Sequence, residues 1–390
     1  MKADTWDLSR SVALVGVAES DEIGYVPHKS ALQHHAEAAH NALADAGLSK
    51  SDVDGIFTAR FSTLTTAEYM GIHPRFTDNT WIGGGSFESH VAHAVAAINA
   101  GYCEVALITH GQTSRSSRVP VANSVLDAVD LNQPHPQYEM PYGIVGAPAC
   151  YALACTRYMH EYGETRTREA LAEIAVATRR WAGLNPRALM REPMTFDEYH
   201  NSRWIAWPFH LLDCCLATDA GGAVILTTAE RARGLRKTPV WVIGAAEAHD
   251  HGMISQMPDL TSTMARVTGP RALAMAGIGH ADIDLTMIYD AFTSTVLVTL
   301  EDLGFCAKGE GPDFLRGQRA APGGDFPMNT NGGGLSYTHT GMYGIFLLIE
   351  AVRQLRGECG ERQVADCKIA LVSGIGGILS SASTLVLAAD

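Results

Sequence analysis

Positive charge is scarce in this chain. Its 390 residues carry 29 Lys and Arg against 42 Asp and Glu, a formal net charge of −13. Nucleic acid and anionic bilayers bind positive fields, so neither is an expected partner. Net charge says nothing about a local basic groove for a smaller anion. Long apolar runs are missing as well. The opening MKADTWDLSRSVALVGVAES has no extended apolar stretch behind its charges and does not read as a signal peptide. The apolar stretch from Gly344 to Val352 is broken by Glu350 and is too short to span a bilayer. The expected compartment is the cytosol.

Metal-ligand patterns are also lacking. None of Cys103, Cys150, Cys155, Cys214, Cys215, Cys306, Cys359 and Cys367 forms a CxxC pair or a Cys/His cluster at zinc spacing. In a cytosolic chain all eight read as buried small hydrophobes. His34-His35, and His90 with His93, fall on predicted helix surfaces with no third ligand in place. They read as solvated faces, and no metal is expected.

What the chain has is ordinary globular composition, 46% hydrophobic and 18% charged, and length enough for two cores. It also repeats itself. Residues 42–54 read ALADAGLSKSDVD and residues 272–284 read ALAMAGIGHADID, with no gap. Each predicts the end of an amphipathic helix, a Gly C-cap, a capped turn and a strand: Gly55–Thr58 in one copy, Leu285–Ile288 in the other. Further on, Gly83-Gly84-Gly85 opens a predicted helix over Ser86–Ala100, followed by a strand from Glu104 to Thr109. The counterpart is Gly332-Gly333-Gly334, a helix around Ile345–Arg356, and a strand over Lys368–Val372. Two copies of a β-α-β unit imply two similar α/β domains packed together, here 1–235 and 236–390.

Between the copies lies a long insertion, roughly Ser114 to Trp207, with a Pro-rich stretch at Leu131–Tyr142 and helical text at Tyr151–Tyr162 and Thr167–Trp181. A segment of that length predicts a lid-like subdomain over a site. Ala223–Leu226 reads as a buried strand, and the polar stretch Arg231–Lys237 as the link between the halves.

Several separate segments resemble the thiolase superfamily, and in particular its sterol-carrier and lipid-transfer type members. Asn201-Ser-Arg runs through Leu-Leu-Asp-Cys-Cys215 to Asp219-Ala-Gly-Gly222 and is similar to that group's NSR…LLDCC…DG signature. Tyr289-Asp290-Ala291-Phe292 stands where those proteins carry HDCF. Asn329-Thr-Asn-Gly-Gly-Gly through His339 stands where they carry NPSGG…GHP, and Gly374–Gly377 forms the closing glycine-rich turn. The resemblance spans nearly the whole chain. It implies a thiolase fold: two βαβαβαββ-type halves in a five-layer αβαβα sandwich, with an inserted loop and helical subdomain.

The departures are chemical. A thiolase begins the helix after its glycine-rich turn with a nucleophilic Cys, whose thiol the helix N-terminus activates. Counting back from Glu104, that position is Gly84. Cys103, the nearest thiol in sequence, lies about 25 Å away along the same helix at a 1.5 Å rise. A second thiolase Cys, the acid/base, falls near Gly374, also glycine. Without a nucleophile no acyl-enzyme forms, but amides at glycine-rich helix starts still stabilise an enolate. Gly84, Gly85, Ser86 and Gly376 are the candidate oxyanion and substrate-binding residues, with Ser86 read as a helix N-cap.

Glycine at the Cys position and YD.F at HDCF resemble the bacterial steroid side-chain retro-aldolases. That resemblance implies a carbon–carbon lyase acting on a β-hydroxyacyl-CoA with a bulky apolar portion. Coenzyme A enters only as part of the substrate, and no covalently bound cofactor is expected. Tyr289 would take the hydroxyl proton, for which a phenol pKa near 10 must fall. His339 or Tyr337 would handle the enolate, with Tyr343 a third candidate. Asp290 reads as the N-cap of the next helix, Asp213-Cys214-Cys215 as packing and turn residues, and Trp204, Trp207 and Phe209 as pocket lining or core. The resemblance also implies a homodimer and a separate small zinc-ribbon and OB-fold subunit. The rival expectations are an acyltransferase or condensing enzyme using Ser86, and a non-catalytic acyl-CoA or lipid carrier.

Overall fold

A computed structural model describes residues 8–117 and 132–390. The part of the insertion at 118–131 therefore lies outside the described residues, as does Leu131 of the Pro-rich stretch.

Nine strands form one sheet. They are β1 (Val12–Glu19), β2 (Gly55–Thr58), β3 (Phe76–Asp78), β4 (Val105–Thr113), β5 (Asp219–Thr228), β6 (Val240–His249), β7 (Leu285–Ile288), β8 (Ile369–Gly376) and β9 (Ser381–Ala388). Their spatial order is β3-β2-β4-β5-β1-β6-β9-β8-β7. The order is nearly a palindrome. On one side β2 pairs parallel with β4, and β5 runs antiparallel to both β4 and β1. On the other, β7 pairs parallel with β8, and β9 runs antiparallel to both β8 and β6. A parallel bridge from Met328 to Thr286 stands where β3 would have its counterpart. The two sides meet through two residue pairs only, Ala13 with Trp241 and Leu14 with Val240.

The duplicated text builds the outer layers. Helix α1 (Ala31–Ala46) packs on β1, β4 and β5. It begins with a capping box, Ser30 with Gln33, and ends at Gly47 in the left-handed region (φ 74°). Gly16 lets α1 approach β1, since a Cβ there would collide with the Ala42 carbonyl. The second copy repeats the device. Helix α5 (Ala265–Ala276) packs on β6 and β9, ends at Gly277 (φ 69°), and Gly244 plays the part of Gly16 against Ala272. Between the two sides of the sheet lie helices α2 (Ser86–Asn99) and α7 (Gly344–Leu355), in contact with each other and with strands of both halves. The layers are α-β-α-β-α, a thiolase fold.

Helices α3 (Gly146–Tyr162) and α4 (Glu164–Gly183) come from the insertion and pack on α6 (Thr293–Asp302). A buried ion pair ties the halves across the centre. Glu19, at the end of β1, is held bidentately by Arg353 of α7 at 2.7 Å. Burial alone would raise the Glu19 carboxyl, but Arg353 outweighs it and holds the group at about 2.

Several expectations need correcting. His34, His35 and His90 are buried rather than solvated. His35 lies on the face of α1 that packs on the sheet, against Thr109, and His90 lies on α2, which is covered on both sides. His93 is half-buried between Asp78 and Glu247, at 2.6 and 3.2 Å, which raises it to about 10. Gly332–Gly334 precedes α7, as read, but a one-turn π-helix over Gly333–Tyr337 stands between them, and α7 starts at Gly344. Of the eight cysteines, Cys214, Cys215 and Cys306 are only partly buried.

Candidate active site

The N-termini of α2 and α7 abut at the centre of the molecule, where the Gly344 amide donates to the Gly84 carbonyl at 3.2 Å. A cavity of about 420 Å³ opens beside this junction. It is lined by Gly83 and Gly84 before α2, Tyr289 and Phe292 after β7, His339 and Gly341 before α7, and Ile375 and Gly377 at the end of β8. Ala147, Pro148 and Tyr151 of α3 supply another wall, so the insertion does face the cavity.

Tyr289 follows β7 and is 4% exposed. Its ring occupies the space in front of Gly84: a Cβ built on Gly84 would fall within the phenol, against Cζ, Cε2 and Oη. Side chain at 84 and phenol at 289 exclude one another. The position where a thiolase carries its nucleophile is therefore empty of side chain and filled by a tyrosine from the other half.

The phenol oxygen has two partners. The Tyr343 amide reaches Tyr289 Oη at 3.1 Å, and His339 Nε2 lies 3.1 Å from the same oxygen. The Gly341 amide donates to His339 Nδ1 at 3.2 Å. A neutral imidazole that accepts at Nδ1 carries its proton on Nε2, so Nε2 donates to the tyrosine. Burial lowers His339 to about 4, which keeps it neutral. Tyr289 Oη thus accepts two N–H bonds and has its own proton free for a third partner. Burial raises the phenol well above its ordinary value, while the two donors favour its ionised form.

The turn that carries His339 is fixed from below. Asp290 accepts from the Gly334 and Leu335 amides at 2.7 and 3.2 Å. It is not the N-cap of α6, a place taken by Phe292. Burial pushes Asp290 up to about 7. His339 itself exchanges two bonds with Thr218, each 3.0 Å.

Of the other sequence candidates, Tyr337 is not at the cavity. Its hydroxyl donates to Glu19 at 2.7 Å, inside the Arg353 ion pair, from the end of the π-turn. Tyr337→Phe is expected to leave catalysis within about twofold of wild type while lowering stability by about 1.5–3 kcal/mol, the range for a hydrogen bond to a charged group. Parallel rate and urea-unfolding measurements check this. Tyr343 points its hydroxyl at Asn331 (2.8 Å) and serves Tyr289 only through its amide.

Among the glycines, Gly84 lines the cavity, whereas Gly85 packs on Gly374 and Gly376 on the Ile82 carbonyl, one layer behind. Ser86 is the first residue of α2 and Gly85 its N-cap. The Ser86 hydroxyl donates to the Gly83 carbonyl at 2.6 Å and accepts from the Ile82 amide at 3.0 Å, bracing the turn.

Three lining features were not legible as such. Cys214 and Cys215 both face the cavity, and burial raises both thiols, Cys214 to about 12. Tyr151, whose hydroxyl bonds the Gly377 carbonyl at 3.3 Å, brings a second phenol. Phe209 stacks on Phe292 behind the wall (4.9 Å between centroids), but Trp204 and Trp207 stand outside, half-exposed beneath the Arg168 guanidinium. Among the described residues no group of His, Cys, Asp and Glu is placed to hold a metal. No helix among them is long and apolar enough to cross a membrane.

Fold and cavity together define a thiolase-fold protein with a tyrosine and a histidine at the cavity and glycine at 84, beside the start of α2. Comparison with known proteins agrees. A family model described as "Thiolase C-terminal domain-like" matches residues 246–389. A Mycobacterium tuberculosis protein described as 17-hydroxy-3-oxo-4-pregnene-20-carboxyl-CoA lyase is 37% identical over 364 residues, spanning 90% of this chain and 92% of its own. A Thermomonospora curvata steroid side-chain-cleaving aldolase is 36% identical over 402 residues, spanning 98% and 99%. The solved structure "Ltp2-ChsH2(DUF35) aldolase" superposes with a TM-score of 0.87 at 34% identity, covering 98% of this chain and 99% of that one. The chain belongs to the thiolase superfamily, in the branch of the steroid side-chain-cleaving aldolases.

Proposed function

We propose that this protein is a carbon–carbon lyase that cleaves a steroid β-hydroxyacyl-CoA by a retro-aldol reaction, giving a steroid ketone and a short acyl-CoA. The observation that carries this reading is the Tyr289 phenol lying in the space of the missing nucleophile, its oxygen between two N–H donors. In the ionised form Tyr289 takes the proton from the β-hydroxyl. The Cα–Cβ bond then breaks, its electron pair passing to the thioester as an enolate and the β-carbon leaving as a carbonyl. The proton now on Tyr289 returns to the enolate carbon, so the phenolate is regenerated and the balance closes. The His339 and Tyr343 donors stabilise the phenolate. Gly83 and Gly84, ahead of α2, line the cavity, and their amides would hold the enolate oxygen. The apolar wall of Tyr151, Phe292 and Ile378 suits a fused-ring acyl group.

The relatives support the substrate class, since one is described as acting on a pregnene carboxyl-CoA with a hydroxyl β to the thioester. A second subunit belongs to the same reading: the structural neighbour is described as a pair of components. So does a homodimer, for which the outermost strand β3 offers an unpaired edge. The compartment is proposed to be the cytosol.

The test is incubation of the protein, co-expressed with its small partner, with a 17-hydroxypregnene carboxyl-CoA. Ketone and short acyl-CoA should form in equal amounts with no free CoA added. A strict requirement for free CoA, or acyl-protein detected by mass and abolished by Ser86→Ala, would replace this reading with acyl transfer. Tight acyl-CoA binding without any turnover would replace it with a carrier.

A further inference from the structure

Beneath the Tyr289–His339 pair lies a carboxyl that the mechanism above does not use. Glu88 stands in the first turn of α2 and is fully buried (0% exposed). Neither of its oxygens has a hydrogen-bond partner. Its placement is specific. A Cβ on Gly344 would collide with both Glu88 oxygens, and a Cβ on Gly374 with Oε2 and Cδ. Two glycines, one at the start of α7 and one in β8, thus make room for this carboxyl.

The same contacts bring it close to the phenol. Tyr343 gives its amide to Tyr289 Oη, and the next residue, Gly344, packs on Glu88. Gly84 has the Tyr289 ring in front of its Cα and gives its carbonyl to Gly344 behind. Phenol and carboxyl flank one strip of backbone. A charge on Glu88 disfavours a charge on the phenol, and the reverse holds by the same interaction. An ionised Glu88 would also cancel the positive potential of the helix end that faces the cavity.

We propose that Glu88 and Tyr289 compete for a single negative charge: the active species has Glu88 as the neutral acid and Tyr289 as the phenolate, and ionisation of Glu88 in its place limits that species at high pH. Glu88 does not touch the substrate and acts only through the charge state of Tyr289. Burial raises it to about 8, which keeps it protonated at neutral pH. Asp219 of β5, His249 of β6, and Glu350 and Arg353 of α7 lie on elements packed against α2, together with the groups that follow. His90 and His93 lie farther along the same helix, the second paired with Asp78 of β3 and Glu247 of β6. His110 of β4 lies against Phe87, and Tyr343 precedes α7. None of these bonds to Glu88.

The proposal rests on Tyr289 being the base, and it has a distinctive pH signature. In wild type the active species, with neutral Glu88 and ionised Tyr289, grows tenfold per pH unit until Glu88 begins to ionise. Above that point both forms have lost one proton and their ratio is constant, so the rate levels off near pH 8. In Glu88→Gln the competing ionisation is gone. The rates of wild type and variant should match below the break and diverge by about tenfold per pH unit above it. Glu88→Met, of similar length and apolar, should behave likewise. Two readouts do not depend on activity. The difference infrared spectrum of wild type minus Glu88→Gln should show a protonated-carboxyl stretch at pH 6 that disappears near pH 8 to 9. The raised carboxyl favours the folded state below its unfolded value, and that advantage is lost as pH rises through the folded value. Wild type should therefore lose melting temperature relative to Glu88→Gln as pH rises from about 5 to about 8, and the difference should level off above that. A break at the same pH in all three proteins, or a carboxylate band already present at pH 6, overturns the proposal. If wild type cleaves nothing at any pH, the lyase reading falls, and the infrared and melting measurements still decide whether Glu88 is a neutral acid.

Discussion

Replacing Tyr289 with phenylalanine is expected to lower the rate of side-chain cleavage by about 10³-fold, within the range that one positioned acid/base group contributes. Substrate binding should change little, because the ring stays and only the hydroxyl leaves. The drop should appear in kcat, with KM nearly unmoved, since the phenolate interaction matters when the hydroxyl proton transfers. The fold should survive at a cost of about 1–3 kcal/mol, as the Tyr343 amide and His339 Nε2 lose their common acceptor. Cleavage that persists within about threefold of wild type, with the partner subunit present, would remove Tyr289 from the mechanism.

Gly84→Ala should be as damaging by a different route. The added methyl would lie inside the Tyr289 ring, so the ring has to leave its site between His339 and Tyr343. Overpacking of this kind costs about 1–3 kcal/mol. Cleavage should fall by about 10²-fold or more, because a shift of an ångström at the reacting group is enough. Gly84→Ala added to Tyr289→Ala should cost almost no further stability, because the ring it would meet is gone, and should restore none of the activity. That non-additive pattern, read by urea unfolding of the two single variants and the double, isolates the steric term. Stability losses that simply add would mean that the ring and the methyl do not compete.

The scaffold was readable because its cues are local and doubled. A gapless repeat, a glycine C-cap at Gly47 and at Gly277, and a strand directly after each one are short-range features. They place β2 and β7 at Gly55–Thr58 and Leu285–Ile288. The thiolase fold and the lost nucleophile followed from text of the same kind. Side-chain destinations were less legible. Tyr337 and His339 are two residues apart in one polar loop, and only the π-turn sends the first to Glu19 and leaves the second facing Tyr289. Asp290 looked like a cap for the helix in front of it and instead grips a turn more than forty residues on. His35 lies on the face of the outer helix α1 that packs on the sheet, against Thr109, and His90 lies on α2, which the five-layer stack covers on both sides. Glu88 carried no signal at all: a charged residue in a first helical turn reads as an ordinary helix start.

The contest between Gly84 and Tyr289 for one volume also has a historical consequence. A side chain at 84 and a phenol from 289 exclude one another, so passing between a thiol site and a phenol site takes at least these two changes. A cysteine restored at 84 meets the ring, while a smaller residue at 289 leaves the site with neither nucleophile nor base. Such a pair acts as a ratchet. Once a lineage has crossed, single substitutions do not lead back, and the two chemistries should persist as separate branches on one scaffold, with few functional intermediates between them.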